Sequence, residues 1–192
     1  MNPIPFIPEK RENVKVVDVV SAWGNIPSIL QEIITRFDVK QNTALEFGVE
    51  YGYSTSAISN YFEKVIGVDT FEGDSHAGLQ QDSNLTFQQT KQRLLEFPNI
   101  EVIKESYQDY ILRETATFDL IHVDIIHDYH HTYECGDWSV KHSPVVIFHD
   151  TLSFPEVMQV CLDLSNKYDL DFYNYSESNG LGILVNKSFL NT

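Results

Sequence analysis

Apolar residues along the chain fall into short uninterrupted runs that are separated by stretches of helical periodicity. Short runs of this kind are typical of strands that are covered on both faces of a sheet. We predict strands at residues 43–47, 64–68, 100–103, 118–123 and 145–148. Because helical stretches separate these strands, the pattern predicts an α/β fold with a mostly parallel sheet and helices on both faces.

The helical stretches are clearest at the two ends of the chain. Apolar residues recur at helical spacing from Ile29 to Phe37, behind Pro27, a residue suited to the first turn of a helix. Helices are also predicted at residues 54–62, 85–97 and 154–168. Residues 71–84 are polar and contain two glycines, which is typical of a mobile loop.

Two further segments complete the pattern. Residues 171–175 and 182–185 flank the sequence Ser178-Asn179-Gly180, and we predict that they form a C-terminal antiparallel hairpin. Residues 124–143 lie between two predicted strands and are dense in polar and aromatic side chains. The histidines that follow Tyr129 in this segment are expected to be exposed loop residues. They are His130, His131 and His142.

Length and composition limit the class of protein. The 192 residues suit a single domain, in which we expect residues 1–40 to form a helical lid and residues 41–192 the core. No stretch approaches the roughly 20 apolar residues of a membrane span, and the two cysteines provide no disulfide framework. We therefore expect a cytoplasmic protein without a membrane partner.

The charge of the chain bears on its partners. The formal net charge is −15, from 28 acidic and 13 basic residues, and the basic residues are scattered. Nucleic-acid phosphates repel such a surface, so we expect a small-molecule partner and no nucleic acid. The acidity is compatible with cations and cationic ligands, although solubility alone also explains it.

The first candidate site follows the strand at residues 43–47. The pattern Glu46-x-Gly48-x-x-x-Gly52-x-Ser54 links this strand to a helix, and the next strand ends in Asp69. Such an order is typical of a Rossmann-like unit that binds an adenosine cofactor, because the glycines admit the ligand and the acid can bind the ribose hydroxyls. A plain turn and a helix-capping or surface acid would give the same pattern.

The spacing of this turn resembles motif one of the class I S-adenosylmethionine (SAM)-dependent methyltransferases. The resemblance implies SAM as the cofactor, bound by the turn from Glu46 to Ser54. It further implies that Asp69 binds the ribose, that Phe71 flanks the adenine and that Ser106 lies beside the adenine ring.

A second candidate site follows the two later strands. Asp124 ends the strand at residues 118–123, and His149-Asp150 ends the strand at residues 145–148. The ends of neighbouring parallel strands face one crevice, so these carboxylates should converge. Two close carboxylates require a cation or a shared proton, and Mg²⁺ or Mn²⁺ would suit them, with His149 as a borderline ligand.

This second pattern resembles the macrocin O-methyltransferase and cephalosporin hydroxylase-like branch of the same family. The resemblance implies that Asp124, His149 and Asp150 hold a divalent metal that binds two substrate hydroxyls. His149 is a departure, because metal-dependent members often carry an acid there. We expect His127 to be the catalytic base, with His149 as the second choice.

Other interpretations of these residues remain open. His127 and His149 could simply cap or bond the local backbone, and a zinc site could include His127, His130 and His131. Tyr133 and Trp138 could line an acceptor pocket or pack in the core, and Cys135 is expected to be a buried filler.

The leading functional hypothesis is a SAM-dependent O-methyltransferase for a hydroxylated small molecule, such as a sugar or a natural-product intermediate. A short lid leaves room for a partner subunit, so a homodimer is compatible with the sequence. The alternatives are a catalytically silent binding protein of the same fold and a nicotinamide-dependent dehydrogenase, which the glycine spacing disfavours.

Overall fold

The computed structural model describes residues 2–73, 78 and 80–187 and places eight strands in one sheet. The strands are Ile4–Pro5 (β1), Thr43–Phe47 (β2), Lys64–Asp69 (β3), Ile100–Lys104 (β4), Leu120–Val123 (β5), Val145–His149 (β6), Asp171–Tyr175 (β7) and Leu181–Val185 (β8). The α-helices are Leu30–Arg36 (α1), Tyr53–Ser59 (α2), Ser83–Arg93 (α3), Tyr107–Arg113 (α4), Tyr129–His142 (α5) and Pro155–Tyr168 (α6). Two 3₁₀ turns, Ile26–Ile29 and Leu94–Glu96, precede α1 and follow α3.

The strand order is β1-β7-β8-β6-β5-β2-β3-β4. All neighbours are parallel except β8, which is antiparallel to both β6 and β7. The predicted α/β class, the mostly parallel sheet and the C-terminal hairpin are therefore confirmed. The hairpin turn contains Ser178, Asn179 and Gly180, all three with positive φ.

The sheet separates two hydrophobic cores. On one face, the apolar side of the 3₁₀ turn and α1 packs with α2 against the sheet, around Trp23 and Ile29. On the other face, α4, α5 and α6 pack around Phe47 and Phe148. Every residue of β5 and β6 is buried, as the uninterrupted apolar runs predicted.

Helix α5 was not predicted from the apolar pattern. Its buried positions recur at helical spacing, but they are small or polar: Thr132, Cys135, Gly136, Ser139 and Val140. Asp128 caps the helix by accepting a hydrogen bond from the amide of His131 at 2.9 Å. The expectation that His130, His131 and His142 lie in a loop is wrong, because all three lie on this helix.

The N-terminal region is less helical than expected. It begins with β1 at the edge of the sheet and reaches helical structure only at Ile26. In the predicted loop at residues 71–84, α3 already begins at Ser83, capped by the side chain of Asp82. Residues 74–77 and 79 of that loop lie outside the described residues. Among the helices that the structure describes, none has the length and apolar character needed to cross a membrane.

Candidate active site

A cleft of about 660 Å³ lies at the C-terminal ends of β2, β3, β5 and β6. Strand order reverses between β2 and β5, since β3 and β4 extend to one side and β6 to the other. In open α/β sheets a ligand crevice forms at such a switch point. Both predicted sites open into this cleft, Asp69 from one side and Asp124 with Asp150 from the other.

Gly48 lies at the switch point, with φ at +92°. A Cβ at this position would lie 1.7 Å from the carbonyl oxygen of Asp124, so only glycine lets the ends of β2 and β5 approach this closely. Gly52 starts α2 with φ at +85°, and a Cβ there would meet Leu94 at 3.1 Å. Both glycines are thus required by contacts within the protein, and of the two only Gly48 lines the cleft.

Glu46, predicted to bind the cofactor, does not line the cleft. Its side chain is completely buried on the face covered by α2. One carboxylate oxygen bonds Nδ1 of His122 at 2.8 Å, and the other accepts a hydrogen bond from the hydroxyl of Thr55. Glu46 therefore ties β2, β5 and α2 together beneath the site.

Asp69 organises the cofactor side of the cleft. Its Oδ2 accepts hydrogen bonds from the amides of Val49 at 2.8 Å and Glu50 at 2.7 Å, and its Oδ1 accepts one from the amide of Phe71 at 2.7 Å. Burial raises the pKa of Asp69 although these three amides favour its charge. The carboxylate therefore holds the glycine turn and the following loop around the cleft.

The other predicted cofactor residues also line the cleft. Phe71 is buried, has φ at +61° and packs against Phe87 with ring centroids 5.2 Å apart. Ser106 caps α4, accepting from the amide of Asp109 and donating to its carboxylate. Ser54 lies in the first turn of α2 and is nearly buried. They line the same cleft as Asp69.

Two carboxylates and two imidazoles meet on the opposite side. Nδ1 of His149 lies 3.2 Å from Asp124 Oδ2 and 3.1 Å from Asp150 Oδ2. Nε2 of His127 lies 3.0 Å from Asp150 Oδ2 and 3.5 Å from Asp124 Oδ1. The predicted convergence of Asp124 and Asp150 is therefore present in the structure, and both histidines are buried beside them.

The two carboxylates and the two imidazoles influence one another's protonation. Burial opposes a charged imidazole, but the carboxylates of Asp124 and Asp150 outweigh it and raise the pKa of both His127 and His149 to about 10. Burial likewise opposes the carboxylate of Asp124, yet the two imidazoles hold its pKa well below the usual range. In this arrangement both imidazoles are therefore cationic at neutral pH, with a proton on each ring nitrogen, and His127 can act as a base only where another cation balances the carboxylates.

The donor set suits a divalent cation. Asp124, His127 and Asp150 offer ligand atoms that all lie within 4.8 Å of one another. Nε2 of His149 bonds the carbonyl oxygen of Ser178 at 3.0 Å, and because a carbonyl can only accept, this nitrogen carries a proton and Nδ1 is directed to the carboxylates. Oδ1 of Asp150 is buried without a hydrogen-bond partner in the described part of the chain. Mixed oxygen and imidazole ligands fit Mg²⁺ or Mn²⁺.

The ring of His127 is held by a stacking contact. Phe154, which precedes α6, lies parallel to it with centroids 4.1 Å apart and an interplanar angle of 12°. The contact fixes the plane of the imidazole and so directs Nε2 to the two carboxylates. Phe154 also lines the cleft, and its contribution has no signal in the sequence beyond its place as the first residue of a predicted helix.

Several other residues have positions that the sequence left open. Tyr133 and Trp138 pack against the core under α5, and burial raises the pKa of Cys135 far above the range of a reactive thiol. His131 lines the cleft and bonds Asp128 at 2.5 Å. Trp23, which was not considered a site residue, forms part of the cleft wall with its ring edge toward His122.

Comparison with known proteins agrees with this arrangement. A family model described as a methyltransferase domain matches residues 45–151. This range includes the C-terminal ends of β2, β3, β5 and β6, where the cleft lies. A search of curated proteins finds no match.

Solved structures with the same fold are numerous, although their sequences are distant. A candidate caffeoyl-CoA O-methyltransferase from Staphylococcus aureus has a TM-score of 0.65 and 14% identity over 88% of this chain and 85% of its own. The O-methyltransferase TomG from Streptomyces achromogenes, in complex with SAM, has a TM-score of 0.59 and 14% identity over 88% and 91%. An rRNA methylase from Streptococcus thermophilus has a TM-score of 0.58 and 14% identity over 82% and 94%.

These neighbours show a Rossmann-like methyltransferase fold. Because the family model covers more than half of the chain, including the glycine turn and the Asp124 and Asp150 strand ends, the chain belongs to the methyltransferase-domain family.

Proposed function

We propose that this protein transfers the methyl group of SAM to a hydroxyl of a small-molecule acceptor. The observation that carries the proposal is the cleft itself, in which Asp69 and the glycine turn face the cluster of Asp124, Asp150 and their histidines. One wall has a carboxylate and a glycine turn that suit an adenosine cofactor. The other wall has carboxylates and imidazoles that can bind and deprotonate a hydroxyl. The TomG structure, which contains SAM in the same fold, supports the choice of cofactor.

The position of Asp69 indicates where the cofactor would bind in the cleft. Its two oxygens already accept three amide hydrogen bonds, and each carboxylate oxygen can accept more than one. The ribose hydroxyls would bind this carboxylate through charge-assisted hydrogen bonds. Phe71 and Ser106 then lie on the walls where the adenine would be enclosed.

The cluster of acids and histidines indicates where the acceptor would bind. Asp124 and Asp150 accept hydrogen bonds and would orient an acceptor hydroxyl toward the methyl group, so that attack occurs in line with the carbon–sulfur bond. Where a bound cation balances the carboxylates and frees an imidazole nitrogen of its proton, His127 or His149 would take the hydroxyl proton. A divalent cation held by Asp124, Asp150 and an imidazole would lower the pKa of a hydroxyl bound to it.

Methylation of RNA is the activity named for several structural neighbours, and the charge of this chain disfavours that activity. The net charge is −15, and none of the 13 lysines and arginines lines the cleft. Phosphate backbones are bound by such cations, so a small hydroxylated acceptor fits this cleft better than a nucleic acid. A sugar or a natural-product intermediate has the required hydroxyl groups.

Calorimetric titration with SAM and S-adenosylhomocysteine, with and without Mn²⁺, tests the proposal. We expect micromolar binding of both nucleosides, and a loss of at least tenfold in affinity for Asp69→Ala. Mn²⁺-dependent methylation in a screen of sugars and catechols would identify the acceptor class. If neither nucleoside binds the wild-type protein, the proposed function is wrong; if both bind and no acceptor is methylated, a silent binding protein is the better description.

A further inference from the structure

Glu50 places a further carboxylate in the cleft, between the two sites already described. It is two residues beyond Gly48, which packs on the backbone of Asp124, and its own amide donates to Oδ2 of Asp69 at 2.7 Å. Its φ is +47°, a conformation that residues other than glycine adopt uncommonly. Its side chain lines the cleft and is exposed to it.

The surroundings of Glu50 are negatively charged. Partial burial and the carboxylates of Asp124 and Asp69 all raise the pKa of Glu50, so its carboxylate lies within electrostatic reach of both residues. Its contact on the other side is neutral: Gln81 donates to Oε1 at 3.2 Å. None of the 13 lysines and arginines lines the cleft. The histidines of the cleft wall pair with Asp124, Asp150 and Asp128. Glu50 and Asp69, by contrast, form no ion pair within the described part of the chain, which favours a cationic ligand beside them.

The chemistry of the cofactor supplies such a cation at this place. In SAM the positive sulfur is bonded to the ribose carbon on one side and carries the methyl group that goes to the acceptor. With the ribose at Asp69 and the acceptor at Asp124, the sulfur must lie between these two residues. Glu50 lines the cleft near both residues, since its amide bonds Asp69 and its carboxylate interacts electrostatically with Asp69 and Asp124.

We propose that Glu50 is the counter-ion of the SAM sulfonium, so that the cleft binds charged SAM in preference to neutral S-adenosylhomocysteine. This inference rests on the proposed function and adds to it a residue that separates substrate from product. When the methyl group moves to the acceptor oxygen, the sulfur keeps the electron pair of the broken bond and loses its charge, while a base takes the hydroxyl proton. The attraction to Glu50 then disappears, which favours release of the product.

The test compares the two nucleosides in Glu50→Gln, a variant that removes the charge and keeps the shape of the side chain. We expect the dissociation constant of SAM to rise about tenfold at low ionic strength, because one close charge pair is lost, and that of S-adenosylhomocysteine to change less than twofold. Calorimetry measures both constants, and the preference of the wild-type protein for SAM should decrease as salt is added.

Glu72→Gln is the matched control, because Glu72 also lines the cleft and the substitution removes the same charge. We expect it to change the two affinities by similar, small factors. Equal weakening of SAM and S-adenosylhomocysteine in Glu50→Gln, or no change in either, would overturn the counter-ion role while leaving the proposed function intact. Failure of the wild-type protein to bind either nucleoside would instead overturn the proposed function, and this inference with it.

Discussion

At the scale of single residues, Gly48 is required for a different reason from the one that its motif suggests. Sequence reasoning assigned Gly48 to the approach of a ligand, whereas the structure shows the carbonyl oxygen of Asp124 where a side chain would be. The same residue thus joins the cofactor turn to the acceptor acid. A substitution here should affect both halves of the cleft.

Gly48→Ala should lower the free energy of unfolding by about 3 kcal/mol or more, because the new Cβ forces β2 and β5 apart in a left-handed conformation. Denaturant unfolding measures the loss. Gly78→Ala is the control, since φ there is +73° but no atom of the residues that the structure describes lies within 4 Å of the new Cβ. We expect that variant to lose only about 1 kcal/mol. Equal losses in the two variants would show that the contact with Asp124 is unimportant.

Glu46 illustrates a residue whose role the motif alone misassigns. The alternation of β2 directs Leu45 and Phe47 to one core and Ala44 to the other, and Glu46 lies on the same side as Ala44. Its partners there are His122 and Thr55, distant in sequence, so no spacing rule could reveal them. The alternation of the strand could have shown which way the side chain points.

At the scale of elements, the strands were predictable and α5 was not. Strands β2, β3, β5 and β6 are buried apolar runs, and their observed bounds differ from the predicted ones by at most two residues. Helix α5 buries small and polar residues against α6, so its apolar period is weak in the sequence. The position of its histidines, and hence of His131 in the cleft wall, depends on that tertiary packing.

Asp137 on α5 links this helix to α6. It bonds Lys141, four residues further along the same helix, at 2.5 Å, and also Lys167 at 2.6 Å and Tyr168 at 2.7 Å on α6. Partial burial works against the charge, but these donors lower the pKa of Asp137 to about 2. The network therefore stabilises the folded state only while Asp137 is ionised.

Asp137→Asn should lower the melting temperature by about 3 °C at pH 7, which corresponds to about 1 kcal/mol after allowance for solvent screening. The folded pKa lies below the unfolded value near 3.9, so this stabilisation is present above about pH 4 and is lost as the pH falls toward 2. Thermal unfolding at pH 7 and pH 3 measures the difference between wild type and variant. A difference that is equally large at both values would rule out the charge as its cause.

At the scale of the whole molecule, strand order joins two separate sequence patterns in one cleft. Gly48 of the glycine turn and Asp124 lie 76 residues apart in the sequence, and the parallel pairing of β2 with β5 brings them into contact. The sequence could predict this meeting because strand ends share one edge of a sheet. It could not predict Trp23 or Phe154 in the wall, since their places depend on how the flanking segments pack.

Asp124→Asn should distinguish the function of the cofactor half of the cleft from that of the acceptor half. The carbonyl contact with Gly48 is retained, so we expect SAM affinity to stay within about threefold of the wild-type value. Methyl transfer should fall at least a hundredfold, because a neutral amide neither balances the imidazoles nor binds a divalent cation well. Calorimetry and a transfer assay provide the two readouts. A comparable collapse of cofactor affinity would mean that Asp124 serves the cofactor rather than the acceptor.

The most direct test of the account is a crystal structure of the protein grown with S-adenosylhomocysteine and Mn²⁺, with anomalous diffraction to locate the manganese. We expect the ribose hydroxyls within hydrogen-bond distance of Asp69, the sulfur near Glu50, and the metal between Asp124 and Asp150. A nucleoside bound outside this cleft, or a ribose placed away from Asp69, would contradict the central claim that the two strand ends form one methyl-transfer site.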